Sequence, residues 1–310
     1  MGQVIIIAGP TCSGKTRLSI DVAGKINSEI ISADSRQIYK FLNIGTAKPT
    51  TSELKQVKHH LIDNLNPDSV FNAGMFVEEA ERIISQLHSQ NKIPVVAGGT
   101  GLYIKSLIDG IINSIDTNEE MRKDFLDKRK QFGNEYLYEE LKKVDSRSAS
   151  TMLPQNWKRV MRALEVYYIS GKPLWQHFKD QKKNNDFIYL QFGLDWERDI
   201  LYSRIEDRVD LMIEAGLVHE VKLLLAEGYS KEINALNTVG YKEIITYLEN
   251  EISLERAIEL IKRNTRRYAK RQLTWFKADK RIEWIKIQNE YDILNTANYI
   301  VEKVLNETKN

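Results

Sequence analysis

Five apolar residues in succession, Val4-Ile5-Ile6-Ile7-Ala8, stand near the start of the chain and run straight into Gly9. A short unbroken apolar run bounded by a turn residue is what a strand buried on both faces of a parallel sheet requires. Behind it, Leu18, Ile20, Val22 and Ile26 predict a first helix that Asn27-Ser28 breaks, and Glu29-Ile30-Ile31-Ser32-Ala33 predicts a second strand. Phe76, Ala80, Ile83, Ile84 and Leu87 then recur at helical spacing, and Ile93-Pro94-Val95-Val96-Ala97 predicts a third strand ending in Gly98-Gly99-Thr100-Gly101. Strand and helix in alternation predict a doubly wound α/β core with a parallel sheet.

The pattern changes from about Ser114 to Asp186, where charged helical sequence with almost no strand signal contains only Gly133 and Gly171 as glycines. This stretch predicts an inserted all-helical domain. Alternation returns with Ile188, Leu190, Phe192 and Leu194, so the chain is expected to rejoin the sheet there. Ile205, Val209, Met212 and Ile213 mark one amphipathic helix, and Leu217, Val221, Leu224 and Leu225 another. The expected organisation is 1–113 as the first part of the core, 114–186 as the helical insertion, and 187–310 as the second part with C-terminal helices.

Composition narrows this little. With 310 residues and 42% apolar content there is material for one large or two ordinary domains. No window approaches the roughly 18 apolar residues of a membrane span, and the first strand begins at Val4 without a leader-like segment, so a cytoplasmic protein is expected. A single cysteine excludes an intrachain disulfide and a multi-cysteine zinc site. Any metal is therefore expected to be Mg²⁺ on oxygen ligands. A net charge of +2 is too close to zero to indicate a nucleic-acid partner, so the distribution of charge must carry that question.

The chemistry begins where the first strand ends. Gly9-Pro10-Thr11-Cys12-Ser13-Gly14-Lys15-Thr16 fits the phosphate-loop pattern G-x-x-x-x-G-K-[ST]. Its glycines let backbone N–H groups close around a di- or triphosphate, Lys15 can reach an outer phosphate, and Thr16 can ligate Mg²⁺ at a helix N-terminus. Asp34-Ser35 follows the second strand and is therefore expected beside this loop, at the edge where ligands of parallel sheets sit. Gly98-Gly99 at the third strand's end could be a tight turn or a place of close ligand approach, the latter being favoured. That strand lacks the terminal Asp of a hydrolysing ATPase. His59-His60 could suggest a metal, but adjacent histidines rarely share an ion and Leu61-Ile62-Asp63 continues as an ordinary edge; a structural role is expected. The segment from Arg36 to Tyr39 and on through Asn43-Ile44-Gly45-Thr46-Ala47-Lys48-Pro49 is polar and punctuated by Gly and Pro, as functional loops are.

Two basic stretches carry the remaining signal. Lys158, Arg159 and Arg162 fall within one helical turn, which fits either a phosphate-binding patch or a solvated face. Arg263, Arg266, Arg267, Lys270 and Arg271 recur at i, i+3, i+4, i+7 and i+8, with Trp275 and Phe276 directly after. A basic helix face with aromatics suits a phosphate backbone and unstacked bases; a helix packed by Tyr268 and Trp275 with solvated basic tips is the alternative.

Taken in order, the phosphate loop, Asp34-Ser35-Arg36-Gln37-Ile38-Tyr39, Asn43-Ile44-Gly45-Thr46-Ala47-Lys48-Pro49, Gly98-Gly99-Thr100-Gly101-Leu102-Tyr103, Arg162-Ala163-Leu164-Glu165 and Ala269-Lys270-Arg271-Gln272-Leu273-Thr274-Trp275 resemble the bacterial tRNA dimethylallyltransferase family, nearly end to end. Cys12 stands where that family often has Ala, and Lys158 where Gln is commoner; no zinc-finger extension follows Trp275. The resemblance implies a P-loop fold whose loop, Gly9 to Thr16, holds the diphosphate of dimethylallyl diphosphate rather than ATP. It implies an insertion that clasps the tRNA stem-loop, and transfer of the dimethylallyl group to N6 of adenosine 37. The implied catalytic set is Asp34, Thr11 and Arg208. Implied tRNA contacts are Asp34, Ser35, Arg36, Gln37, Thr100, Lys158, Arg159, Val160, Met161, Arg162, Arg263, Arg267, Lys270 and Arg271. Thr16 would hold the Mg²⁺ cofactor, and the enzyme would act as a monomer.

The residue types suit that chemistry. An exocyclic adenine amine is a weak nucleophile because its lone pair is delocalised, so a base at the strand edge, Asp34, must take its proton as the C–N bond forms. The leaving diphosphate gathers charge that loop N–H groups, Lys15, Mg²⁺ and Arg208 are placed to stabilise. Two rivals stand beside this reading. One is an ATP-dependent nucleotide or small-molecule kinase, which the missing strand-end Asp and the basic C-terminal helix disfavour; the other is a binding module without catalysis, which leaves Asp34 and the complete loop unexplained.

Overall fold

The structure is a computed structural model that describes residues 2–112, 115, 117–180 and 187–307. Among these, contacts divide the chain into two compact units, 1–108 with 185–310, and 109–184. The change of unit thus falls a few residues before Ser114, inside the helix that follows the Gly98–Gly101 turn; Ser114 and Asp186, the expected edges of the insertion, lie outside the described residues.

The first unit opens with β1 (Gly2–Ala8), α1 (Lys15–Lys25), β2 (Ile30–Ser32), α2 (Thr51–Gln56), β3 (His59–His60), α3 (Ala73–Ser89), β4 (Val95–Gly98) and α4 (Gly101–Asp109). The helical unit contributes α5 (Glu119–Phe132), α6 (Asn134–Val144), α7 (Ser146–Ala149), α8 (Trp157–Ser170) and α9 (Leu174–Asp180). The chain returns with β5 (Phe187–Trp196), α10 (Arg198–Glu214), α11 (Leu217–Ala226), α12 (Tyr241–Leu248), α13 (Leu254–Lys277), β6 (Glu283–Ile287) and α14 (Glu290–Glu307).

The strands form one six-stranded sheet in the order β3-β2-β4-β1-β5-β6, with every pairing parallel. β1 is buried from Val4 to Ala8 because it lies between β4 and β5 with helices on both faces, which is why its sequence is continuously apolar rather than alternating. The same position explains β5: Gln191, Phe192, Gly193 and Leu194 are all buried, so alternation describes only its outer part, where Ile188 is exposed. Register places Ala8 opposite both Gly98 and Gly193, so β1 and β4 end level with each other, while Ser32 of β2 pairs with Ala97. The phosphate loop, Asp34 and the Gly98–Gly101 turn thereby leave the sheet along one edge.

The two-residue β3 is the sheet edge, and each of its histidines bonds a protein oxygen through one ring nitrogen. His59 Nδ1 bonds the Val57 carbonyl at 2.8 Å, and His60 Nε2 meets Glu29 Oε2 at 2.7 Å. β6, which the sequence did not lead one to expect, pairs with the C-terminal half of β5, and α14, among the expected C-terminal helices, sets Ile293, Ala297, Ile300 and Val304 into the cluster containing Leu18, Val22 and Phe192. The helical unit has its own core around Phe125, Leu137, Leu141, Val160, Ala163 and Leu164.

Candidate active site

The phosphate loop is wound as its glycines permit. Gly9 (φ +150°), Cys12 (φ +63°) and Gly14 (φ +92°) occupy the positive-φ region, and Cys12 does so with a side chain, a conformation that costs an ordinary residue free energy. A side chain at Gly14 would in addition fall 2.5 Å from Ile293 Cδ1. α1 starts at Lys15 with no side-chain cap, so its first N–H groups remain for a ligand at the loop. Ser13 Oγ is buried without a hydrogen-bond partner among the described residues.

The loop walls a cavity of about 760 Å³ that also meets Asp34, Arg204, Arg208, Tyr268, Arg271 and Gln272. Lys15 Nζ donates to the Pro10 carbonyl at 2.5 Å. Burial, then the neighbouring Arg208 guanidinium, lowers its pKa to about 8, while Cys12 and Asp34 pull the other way. An anion taken into this cavity would relieve both unfavourable influences. Arg204 and Arg208 reach the loop from α10: Arg204 Nε donates to the Cys12 carbonyl at 3.0 Å, and Arg208 Nη1 lies 3.6 Å from Cys12 Sγ. Cys12 itself is buried.

Asp34 is held by one oxygen only. Its Oδ1 accepts the N–H groups of Arg36 at 2.8 Å and Gln37 at 3.2 Å, and Oδ2 has no partner among the described residues. One oxygen fixes the carboxylate and the other is available to the cavity. Tyr268 sits beside it, its hydroxyl pushed up to about 12 by burial and then by the Asp34 charge. Ser35 N donates to Thr100 Oγ1 at 3.0 Å, so Thr100 ties the β4 turn to the end of β2. Gln37 is committed on both ends: Nε2 donates to the carbonyls of Thr46 and Ala47, and Oε1 accepts from Ser32 Oγ.

The segment from Asn43 to Ala47 is anchored by a carboxylate that sequence reasoning missed. Glu220 of α11 is buried and accepts the N–H groups of Asn43, Ile44 and Gly45 at 2.8–3.1 Å and the Tyr241 hydroxyl at 2.7 Å. Gly45 leaves room for Tyr241, whose ring a side chain there would meet at 2.4 Å. No sequence pattern connects residues 43–45 with 220, so this anchor was invisible along the chain.

Several expectations change. Gly98 and Gly99, where close ligand approach was favoured, line the cavity, and the protein also approaches them closely: a side chain at Gly98 would fall 2.1 Å from the Ala33 carbonyl oxygen, and one at Gly99 would fall 2.4 Å from Gln272 Nε2. Val160, implied as a tRNA contact, is fully buried in the core of the helical unit, and Met161 packs against that core. Arg162 does not belong to a free basic face, because it donates to Glu165 at 2.6 Å and to the Ile115 carbonyl at 2.8 Å. Lys158 and Arg159 are exposed, with Lys158 Nζ over the Trp157 ring. On α13, Arg266 is not part of a uniform positive face either, since it pairs with Glu206 of α10. Arg263, Arg267, Lys270 and Arg271 are exposed.

Among the described residues no group of three or more His, Cys, Asp or Glu could hold a metal, and no helix is long and apolar enough to cross a membrane. The donor set at the loop is the Thr16 hydroxyl, which suits Mg²⁺, an ion that binds through few protein oxygens and takes the rest from phosphate and water.

Comparison with known proteins places this geometry. The family model described as IPP transferase matches residues 37–279. A tRNA dimethylallyltransferase of Acetivibrio thermocellus is 48% identical over 297 residues, covering 94% of each chain. Among solved structures, the full-length tRNA isopentenylpyrophosphate transferase of Bacillus halodurans is 36% identical with a TM-score of 0.73, covering 100% of this chain and 99% of its own. A eukaryotic dimethylallyltransferase caught acting on tRNA is 30% identical with a TM-score of 0.82, covering 97% of this chain and 78% of its own. The chain belongs to the IPP transferase family of tRNA dimethylallyltransferases.

Proposed function

We propose that the chain transfers the dimethylallyl group of dimethylallyl diphosphate to N6 of adenosine 37 in the tRNA anticodon loop, releasing diphosphate. The observation that carries this reading is the pairing, in one cavity, of a phosphate loop with a carboxylate that keeps one oxygen unpartnered. Diphosphate lies in the loop, its charge met by the free N–H groups at the start of α1, by Lys15 and by Arg208, with the Thr11 hydroxyl at the wall. Thr16 would hold Mg²⁺, which when bound offsets the charge gathering on the leaving group.

Adenosine 37 leaves its stack to reach the cavity. Asp34 Oδ2 accepts one N6 proton while the amine nitrogen bonds the allylic carbon and the carbon–oxygen bond to diphosphate breaks, the electron pair staying on diphosphate. Ser35, Arg36, Gln37 and Thr100 line the strand edge where the base would sit. Lys158 and Arg159 in the helical unit, and Arg263, Arg267, Lys270 and Arg271 on α13, offer exposed cations to RNA phosphate. Every group invoked comes from one chain, and the reading makes the enzyme a cytoplasmic monomer.

The test is incubation with unmodified tRNA, Mg²⁺ and either dimethylallyl diphosphate or ATP, followed by digestion and mass measurement of the nucleosides. A dimethylallyl mass increment on adenosine from the first donor alone is expected; phosphate transfer from ATP would overturn the reading. Asp34→Asn should keep both substrates bound and lower kcat by ~10²–10⁴. Rescue of that variant by high Mg²⁺ in single-turnover measurements would remove Asp34 from the base role.

A further inference from the structure

We propose that Gln272 is a positioning residue that sets the separation between the phosphate loop and the edge carrying Asp34, so that one side chain of α13 holds the two halves of the reaction in register. This rests on reading the cavity as the site of diphosphate and amine.

Gln272 is almost completely buried, 7% exposed, and both ends of its amide are used. Oε1 accepts the N–H of Thr11 at 2.9 Å, and Nε2 donates to the carbonyl of Gly99 at 2.8 Å. The partners fix the orientation of the amide, because the reverse would set donor against donor and acceptor against acceptor. From Gly99 the connection continues without a gap. Thr100 N donates to the Ala33 carbonyl at 3.1 Å, and Thr100 Oγ1 accepts from Ser35 N at 3.0 Å, on either side of Asp34.

Two glycines make the same point independently. A side chain at Gly99 would land 2.4 Å from Gln272 Nε2, and one at Gly101 would land 2.2 Å from Trp275 Cδ1. Gln272 and Trp275 are three residues apart and therefore share a face of α13, and the turn is bare of side chains where that face meets it. Gly99 and Gly101 thus leave room for α13, while Gly98 leaves room for the Ala33 backbone.

The chemistry needs such a spacer. The amine nitrogen must lie in line with the allylic carbon and its leaving oxygen while the proton acceptor reaches one of the N–H bonds, and misplacement by about 1 Å can cost on the order of 10² in rate. The sheet sets β1, β4 and β2 in register up to Ala8, Gly98 and Ser32, but the loop and Asp34 lie beyond the ends of these ladders. Gln272 spans the gap directly. It also occupies the Thr11 N–H, which leaves diphosphate to the N–H groups further along the loop.

The experiment compares Gln272→Leu, Gly99→Ala and the double variant in the full chain, with Lys15→Ala as reference. Gly99 has no positive φ, and the contact an Ala there would make below 3 Å is with Gln272 Nε2. Each single variant should lower single-turnover kcat by ~10–100-fold with tRNA Kd within about twofold, and the double should be no slower than the worse single, since both break one bridge. Turnover within about threefold of wild type in either folded single variant, or multiplying losses in the double, would overturn the proposal. Should Gln272→Leu fail to fold, Gly99→Ala and Gln272→Glu, which keeps the acceptor for Thr11 but loses the donor to Gly99, carry the same test. If Lys15→Ala also turns over normally, the reading of the cavity has failed rather than the role of Gln272.

Discussion

The basic stretches of α8 and α13 read alike along the chain, each a cluster of Lys and Arg at helical spacing, yet they hold their charge in different ways. On α8, Arg162 converges with Arg122 on Glu165, a carboxylate 1% exposed, so the most inward cation of the cluster is part of the helical unit's framework. Of the five cations on the α13 face, only Arg266 is in an ion pair among the described residues, with Glu206, while Arg263, Arg267, Lys270 and Arg271 stay exposed. Spacing identifies a face; the counter-ion decides whether the face is available. Glu165 and Glu206 come from different positions relative to their partners, three residues away in one case and 60 in the other, so only the first could have been noticed in sequence.

The comparison is broken most directly on α13. Replacing Arg263, Arg267 and Lys270 together by Ala should flatten the salt dependence of tRNA affinity by about three units of slope and weaken binding by ~10²-fold or more at low salt, with little change in thermal stability. An unchanged slope would return this face to solvent. Arg162→Ala should do the opposite. Its loss leaves Glu165 with one arginine instead of two, lowering stability by about 2 kcal/mol with no change in salt slope. Burial alone would raise the Glu165 pKa, but hydrogen bonds from Arg122, Arg162 and Asn118 hold it below the usual carboxylate range. The stabilisation is therefore present above the ordinary carboxylate pKa and lost as pH falls through the depressed one, and the variant's deficit should shrink in acid unfolding measurements.

Lys15 sharpens the contrast from a third side, as a buried cation on which the strongest charged influence is another cation, Arg208. With its pKa lowered to about 8, it is charged at neutral pH and loses that charge as pH rises, while bound diphosphate favours the charged form. Affinity for inorganic diphosphate at fixed Mg²⁺ should fall about tenfold between pH 7 and 9 by calorimetry, with proton uptake on binding. Lys15→Arg, which stays charged, should flatten the dependence; an equal fall in that variant would assign it elsewhere. The smallest effect is expected for Arg159→Ala: a salt slope lower by about one and tRNA affinity reduced a few-fold, with unfolding unchanged. A stability loss there would show that Arg159, like Arg162, serves the framework.

What was legible along the chain is what local chemistry dictates. The phosphate loop, the strand that feeds it and the placement of Asp34 follow from short unbroken patterns, and β1, β2 and β4 stand where these predicted them. The insertion showed itself through lost strand signal. What stayed hidden depends on partners far away in sequence. β3 has two residues and β6 is the mixed run Glu283–Ile287, and each is a strand because β2 or β5 supplies its ladder. Gln272 and Glu220 are ordinary polar residues on helices until Thr11, Gly99 and residues 43–45 are brought to them. Val160 was misread because a motif groups neighbours in sequence, whereas a helix turns each residue about 100° from the last, so that Arg159 faces solvent and Val160 the core.

The bond between Thr11 and Gln272 joins residues 261 positions apart, which has a consequence for how the protein is made. At ~5–20 residues per second, roughly 13–50 s of synthesis separate the two. During that interval β1 also awaits β5, its longest pairing, while the helical unit, with its contacts within a single stretch of chain, can already pack. The phosphate loop is therefore among the first parts to leave the ribosome and among the last to acquire its shape, and a nascent chain stalled before α13 would carry the complete loop without the helix that braces it.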